Sequence, residues 1–221
     1  MKKTIVTSFI IASSTLLAIG ATPSQAATFK FQNIFPTDSN SELSGDPFVN
    51  DFSFDVTDAG NGKVLFQINN AANNGAIGSI YWENTGNLLS NMVLNVGNIG
   101  NVNFKNISPG NLPQGNKIAF IEAFGARFQS GGSKRINGGE SLGITFTGNF
   151  NSVINALQSE DLRVGIHVQE LPQGQSDSFV SDGGETQVPE PLSILGTGVA
   201  LGFGILFKKK GVSGNKKTSQ L

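Results

Sequence analysis

Phe52-Ser53-Phe54-Asp55-Val56-Thr57-Asp58-Ala59-Gly60-Asn61-Gly62-Lys63-Val64-Leu65-Phe66-Gln67-Ile68 decides the fold. Phe52, Phe54 and Val56 recur at every second position, and so do Val64, Phe66 and Ile68. A period of two places each set on one face of a strand. Between them, Asp58-Ala59-Gly60-Asn61-Gly62 is built from residues that turn a chain. Two alternating runs across such a turn predict a β-hairpin with a phenylalanine-rich inner face.

Similar signals extend outward in both directions. Thr28 to Phe35 carries Phe29, Phe31 and Phe35 and reads as the first strand. Ala76 to Trp82 reads as a strand, and alternation recurs in Met92-Leu94-Val96, Val102-Phe104, Leu142-Ile144-Phe146 and Leu162-Val164-Ile166-Val168. Ile118 to Phe128 reads as a strand with a bulge, given Ala123, Gly125 and Ala126. Asn151 to Glu160 has Val153, Ile154 and Leu157 at helical spacing, with Asn151 or Ser152 as cap. Eight to ten short strands and one short helix predict an all-β domain, an antiparallel β-sandwich or jelly roll, over residues 27–172. The polar stretch Gln173 to Gln187 reads as a flexible spacer.

The chain has 221 residues and no cysteine, so its core alone must hold it together. Seven of its fifteen Lys and Arg residues lie near the two ends. Ala27 to Pro189 keeps eight basic residues against fifteen acidic ones, a net charge of −7. That acidity argues against nucleic acid as a partner and is compatible with divalent cations or neutral glycans.

Both ends carry apolar segments. Met1-Lys2-Lys3, the apolar run from about Ile5 to Ile19, and Ala21-Thr22-Pro23-Ser24-Gln25-Ala26 have the three parts of a secretory signal peptide. Signal peptidase is expected to cut after Ala26, with Ser24 and Ala26 as the small residues of its site, so residues 1–26 form the leader. At the other end, Val188-Pro189-Glu190-Pro191 precedes the uncharged run Leu192 to Phe207 and then Lys208-Lys209-Lys210. The prolines favour an extended, rigid motif. The apolar run predicts a short transmembrane helix of roughly 24 Å, shorter than the ~30 Å hydrocarbon core. The three lysines form its cytoplasmic stop, and residues 211–221 a cytoplasmic tail. These ends alone define an exported protein with a single-pass C-terminal anchor.

The order Pro189-Glu190-Pro191, glycine-containing apolar helix and basic cluster, over residues 188–210, resembles the PEP-CTERM sorting signal. The run Leu162-Arg163-Val164-Gly165-Ile166-His167-Val168-Gln169, with Gly174 and Ser176 to Val180, is similar to a segment of uncharacterised cyanobacterial PEP-CTERM proteins. This resemblance implies processing by an exosortase, a membrane-embedded transpeptidase. It implies delivery to the cell surface or extracellular matrix and a link to exopolysaccharide and biofilm. It supplies no catalytic activity.

Within the domain, His167 is the only histidine and is expected on the polar face of its strand. Glu160, Asp161 and Ser176 are near it in sequence, but their spacing defines no catalytic set, and no catalytic residue is assigned. One His and no Cys disfavour zinc. Asp38, Glu42, Asp46 and Asp51 share one polar loop, with Asp55 and Asp58 flanking the turn that follows, and Asp38, Glu42 and Asp46 are the candidate ligands for a calcium ion. Calcium is the only cofactor considered, and a solvated acidic loop is the preferred reading. Tyr81 and Trp82 are candidates for stacking on a sugar, at most one of them facing outward. The expected function is a non-enzymatic envelope or extracellular-matrix protein, with polysaccharide as its potential partner. The alternatives are a carbohydrate-binding module and, less favoured, a secreted hydrolase.

Overall fold

The structure is a computed structural model that describes residues 25–34, 45–107, 110–129 and 134–187. Its strands are β1 (Ala26–Asn33), β2 (Phe52–Gly60), β3 (Lys63–Asn70), β4 (Ala76–Asn84) and β5 (Ser90–Leu94), followed by β6 (Phe104–Ile107), β7 (Phe124–Phe128) and β8 (Glu140–Thr147). Helix α1 (Phe150–Gln158), β9 (Leu162–Leu171) and β10 (Gln175–Gln187) complete the series. The ten strands form a single sheet in the order β5-β8-β3-β2-β1-β10-β9-β4-β7-β6, and every pairing is antiparallel. The expected all-β, antiparallel architecture with one short helix is therefore present. The two packed layers are the two halves of one sheet folded on itself.

The hairpin forms as its pattern requires. Phe54 opposes Ile68, and Val56 opposes Phe66. Phe52, Phe54, Val56, Val64, Phe66 and Ile68 are all fully buried. Their rings continue into the facing half. Phe54 stacks on Phe29 and Phe66, and Phe66 meets Trp82 edge-on with centroids 6.4 Å apart. Phe146 on β8 packs against both Phe66 and Trp82. These aromatic contacts are the bond between the layers.

The outer edges of the folded sheet, β5 and β6, are joined by asparagine side chains. Asn95 Nδ2 donates to the Phe104 carbonyl at 2.8 Å, and Phe104 N donates to Asn95 Oδ1 at 2.9 Å. A side-chain amide offers the same donor and acceptor as a peptide, so Asn95 acts as one rung of a ladder. Asn98 links the same region, donating to the Val102 carbonyl and accepting from Gly143 N. The edges are thereby covered, and the sandwich is nearly closed into a flattened barrel.

Several expectations are corrected. Gln173–Gln187 is not a spacer. It supplies β10, which lies between β1 and β9 in the middle of the sheet. Its polar residues are buried because each has a partner. Asp177 accepts from Asn33 Nδ2 at 2.8 Å, Ser178 Oγ meets His167 Nδ1 at 3.1 Å, and Ser181 Oγ accepts from Val164 N at 3.1 Å. The cap of α1 is Asn149, whose side chain accepts from Ser152 N, and not Asn151 or Ser152. The run expected as one strand over Ile118–Phe128 divides into the end of a 3₁₀ turn (Gly115–Ile118), a connecting segment and β7. Among the described residues no helix is long and apolar enough to cross a membrane. Ser24, Val188–Pro191, Leu192–Phe207 and Lys208–Lys210 lie outside the described residues. Ala26 is described and opens β1 opposite Thr57.

Asp177 ties β10 to β1 and to Gly45. Burial pushes its carboxyl above the ordinary carboxylate range, against the lowering effect of hydrogen bonds from Asn33, Ser178 N and Gly45 N. A raised folded-state value means that the native state holds this proton more tightly than the unfolded chain does. Its contribution to stability is then complete below the ordinary range and is lost as pH rises through the raised value. The stability advantage of wild type over Asp177→Asn is expected to shrink across that interval. Urea denaturation at a series of pH values measures it, and a constant difference would contradict this account.

Candidate functional site

Strand β4 is buried along its whole length, inside and out. Inside, Ile80 and Trp82 join the main core. Outside, Tyr81 lies opposite Gly165 of β9 and Gly125 of β7. These glycines leave room for a covering loop. A Cβ at position 165 would lie 2.5 Å from Leu112 Cδ2, and one at 125 would lie 2.9 Å from Ile107 Cγ1. Leu112 therefore sits directly over β9. With Ile34, Tyr81 and Val180 it forms a second apolar cluster, against which Ile107, Ile118 and Phe120 pack.

The segment from Asn111 to Ala123 is fastened to this outer face by one ion pair and its hydrogen bonds. Arg163 Nε donates to Glu83 Oε2 at 2.5 Å. The Arg163 Nη1 and Nη2 groups donate to the carbonyls of Ile118 and Ala119, and the guanidinium lies 5.4 Å from the Phe120 ring centroid. Glu83 Oε1 accepts from Ile121 N, and Ala123 N donates to the Trp82 carbonyl. Within the segment, Glu122 Oε1 accepts from Leu112 N. Burial raises the Glu122 carboxyl above its ordinary value, and the Leu112 hydrogen bond works against that rise.

The path of this segment is strained. Gln114 (φ 66°) and Ala119 (φ 50°) both adopt the left-handed conformation. For residues with a Cβ that costs about 1–2 kcal/mol each. Such strain persists only where surrounding contacts over-determine the path.

The segment encloses a pocket of about 370 Å³. Phe120 and Leu112 provide its apolar surface, and Asn111, Gln114, Asn116 and Glu122 its polar one. Gln114 Oε1 is buried and has no hydrogen-bond partner among the described residues. A buried acceptor left without a donor costs on the order of 1–3 kcal/mol, and the Gln114 side chain that carries it lines the pocket.

The residues proposed from sequence fall elsewhere. Neither member of the Tyr81-Trp82 pair is open to solvent: Trp82 is 0% and Tyr81 7% exposed. Trp82 lies in the aromatic core, and Tyr81 lies beneath Leu112, so neither is open to a sugar. Asp46 lies at the start of a 3₁₀ helix (Asp46–Asp51), while Asp38 and Glu42 are outside the described residues. Among the described residues no group of three or more His, Cys, Asp or Glu could hold a metal ion. His167 is half-buried and contacts Ser178, not Ser176. Burial, with the nearby Arg127 charge, holds its pKa below the ordinary histidine value, against a hydrogen bond at Asp177 that raises it. Ser178 is 1% exposed, which closes its hydroxyl to a substrate. Asp161 accepts from Ser159 at the end of α1.

Comparison with protein-family models, with curated proteins and with solved structures yields no significant match.

Glu83 and Arg163 keep only 9% and 16% of their side-chain surface exposed. Removing one partner leaves the other charge buried and unpaired. Arg163→Met is expected to cost about 3 kcal/mol. Combining it with Glu83→Leu should recover part of that loss, as read by urea denaturation. A loss under about 1 kcal/mol for Arg163→Met, the level of an exposed pair, would show that this contact does not hold the segment.

Proposed function

We propose that this domain is a non-enzymatic carbohydrate-binding module whose site is the pocket bounded by Phe120, Gln114 and Glu122. The carrying observation is Gln114 Oε1, a buried acceptor without a donor in a polar pocket with an aromatic wall. Sugar hydroxyls supply such donors in quantity, and the C–H face of a pyranose ring packs against a ring such as Phe120. Side-chain amides and a carboxylate beside an apolar wall form a small, oriented polar set. The −7 charge of Ala27 to Pro189 disfavours nucleic acid as the ligand.

The chain ends support a delivery route for the same module. The leader directs export, and the segment Val188-Pro189-Glu190-Pro191 follows β10 directly, since β10 runs to Gln187. On this reading an exosortase-like enzyme removes the apolar segment Leu192 to Phe207 and releases the module to the cell surface or matrix. The mature protein then lacks Leu192 to Leu221, and its intact mass tests that step.

The binding reading is tested by calorimetric titration of the full chain with a panel of neutral and acidic oligosaccharides. Phe120→Ala and Gln114→Ala are each expected to weaken binding by roughly tenfold or more, the loss of one desolvated contact. Gln114→Ala should leave the melting temperature nearly unchanged, whereas Phe120→Ala also removes packing on the Leu112 cluster and is titrated well below its own melting temperature. Absence of binding to the whole panel, or binding unaffected by either substitution, would falsify the proposal.

A further inference from the structure

A transverse row of residues crosses the same outer face beside the covering segment. Lys105 on β6 lies directly opposite Arg127 on β7, Arg127 opposite Ser79 on β4, and Ser79 opposite His167 on β9. Residues directly opposite in an antiparallel sheet share a face. Lys105 and Arg127 are both exposed. Like charges placed opposite one another destabilise a sheet. Among the described residues neither cation has an ion-pair partner. Two unneutralised cations side by side are unexpected in a stretch with fifteen acidic and eight basic residues.

A second observation adjoins this pair. Gln169 lies two positions beyond His167 on β9, on the same face. Its amide reaches across β4: a Cβ at Gly78 would come within 2.8 Å of Gln169 Oε1. That oxygen is buried and has no hydrogen-bond partner among the described residues. An acceptor without a donor thus lies beside Gly78 of β4, the strand that pairs with β7 and its Arg127.

We propose that Lys105, Arg127 and Gln169 form a subsite for a carboxylate-bearing sugar, so that the glycan bound by this domain is a uronate-containing chain. This inference rests on the carbohydrate-binding reading and specifies its ligand class. The cations take the carboxylate through charge-assisted hydrogen bonds, and a ring hydroxyl donates to Gln169 Oε1. Ile107, two residues beyond Lys105 on the same face, packs against the apolar cluster that contains Leu112, so the row and the covering segment share one side of the sheet. An acidic protein surface is a poorer occupant. Protein interfaces have an apolar and aromatic centre, whereas this row consists of Lys105, Arg127, Ser79, His167 and Gln169.

The test is calorimetric titration of the full chain with an oligogalacturonate and with its methyl ester, at about 0.05 M and about 0.5 M salt. The acid is expected to bind at least roughly tenfold more tightly than the ester at low salt, as charged hydrogen bonds allow. That preference should fall at high salt and vanish in Lys105→Gln/Arg127→Gln. The double variant should melt no lower than wild type, since it relieves a repulsion. Gln169→Leu should weaken both ligands. Equal binding of acid and ester, or a preference that survives the double substitution, overturns the subsite. If the ester then still binds through Phe120, the carbohydrate-binding reading stands without it. An acid preference dependent on Lys105 and Arg127 but indifferent to Phe120→Ala leaves the subsite and removes the pocket. No binding of either ligand removes the subsite. A loss of self-association in the double variant, seen by sedimentation, would assign the cations to a second copy of the chain instead.

Discussion

The Arg163–Glu83 pair is the contact on which the outer face depends. It joins β9 to β4 across the sheet, and the same two side chains hold the backbone of Ile118, Ala119 and Ile121. A buried ion pair adds little net stability over an apolar pair of the same volume, because desolvation offsets the attraction. Its contribution here is positional. It fixes an irregular segment over a sheet whose outer face would otherwise be open. Gly165 and Gly125 are the steric half of that arrangement, since side chains there would displace Leu112 and Ile107. A strained loop held from below by charge and above an apolar floor is a rigid platform, which lowers the ordering cost of binding.

Closure of the sheet is a separate achievement of asparagine. A sheet that folds on itself must still cover two edges, and backbone rungs alone do not join β5 to β6. Asn95 does so with its side-chain amide, and Asn98 ties the connecting loop to Val102 and to Gly143 of β8. Asn95 adopts the left-handed conformation (φ 63°), which asparagine tolerates better than most residues. Asn70 and Asn84 make comparable buried links inside the molecule, Asn70 to the carbonyls of Gly75 and Ile136 and Asn84 to the carbonyl of Leu89. A chain without cysteine is thereby stitched by side-chain amides.

Much of the framework was legible because period-two alternation leaves a direct trace. Phe52 to Ile68 named its own hairpin, and Val153, Ile154 and Leu157 named their helix. What was hidden depended on partners far away in the chain. Gln175–Gln187 reads as a polar linker because its buried residues are polar, and only Asn33, His167 and Val164 make that burial tolerable. Adjacency allowed at most one of Tyr81 and Trp82 outside, and alternation does send Trp82 into the core and Tyr81 to the outer face. What the pattern could not show is that the covering segment buries that outer face as well. The pocket was invisible for the same reason. Phe120, Gln114 and Glu122 carry no motif, and only the fixing of their segment by Arg163, distant in sequence, brings them together. Ile118 to Phe128 reads locally as one apolar strand, so nothing near Phe120 in the sequence marks it as a pocket wall. The lone histidine drew attention by rarity, yet its partner is a buried serine.

Amide hydrogen exchange on the full chain, with and without saturating oligogalacturonate, tests the central claim most directly. The account expects ligand protection to concentrate in residues 111–122 and in the neighbouring stretch of β7 around Arg127, with the Asp58–Lys63 turn unchanged. Protection confined to other surfaces, or none at a concentration where calorimetry records saturation, would contradict a site built on the segment that Arg163 and Glu83 hold in place.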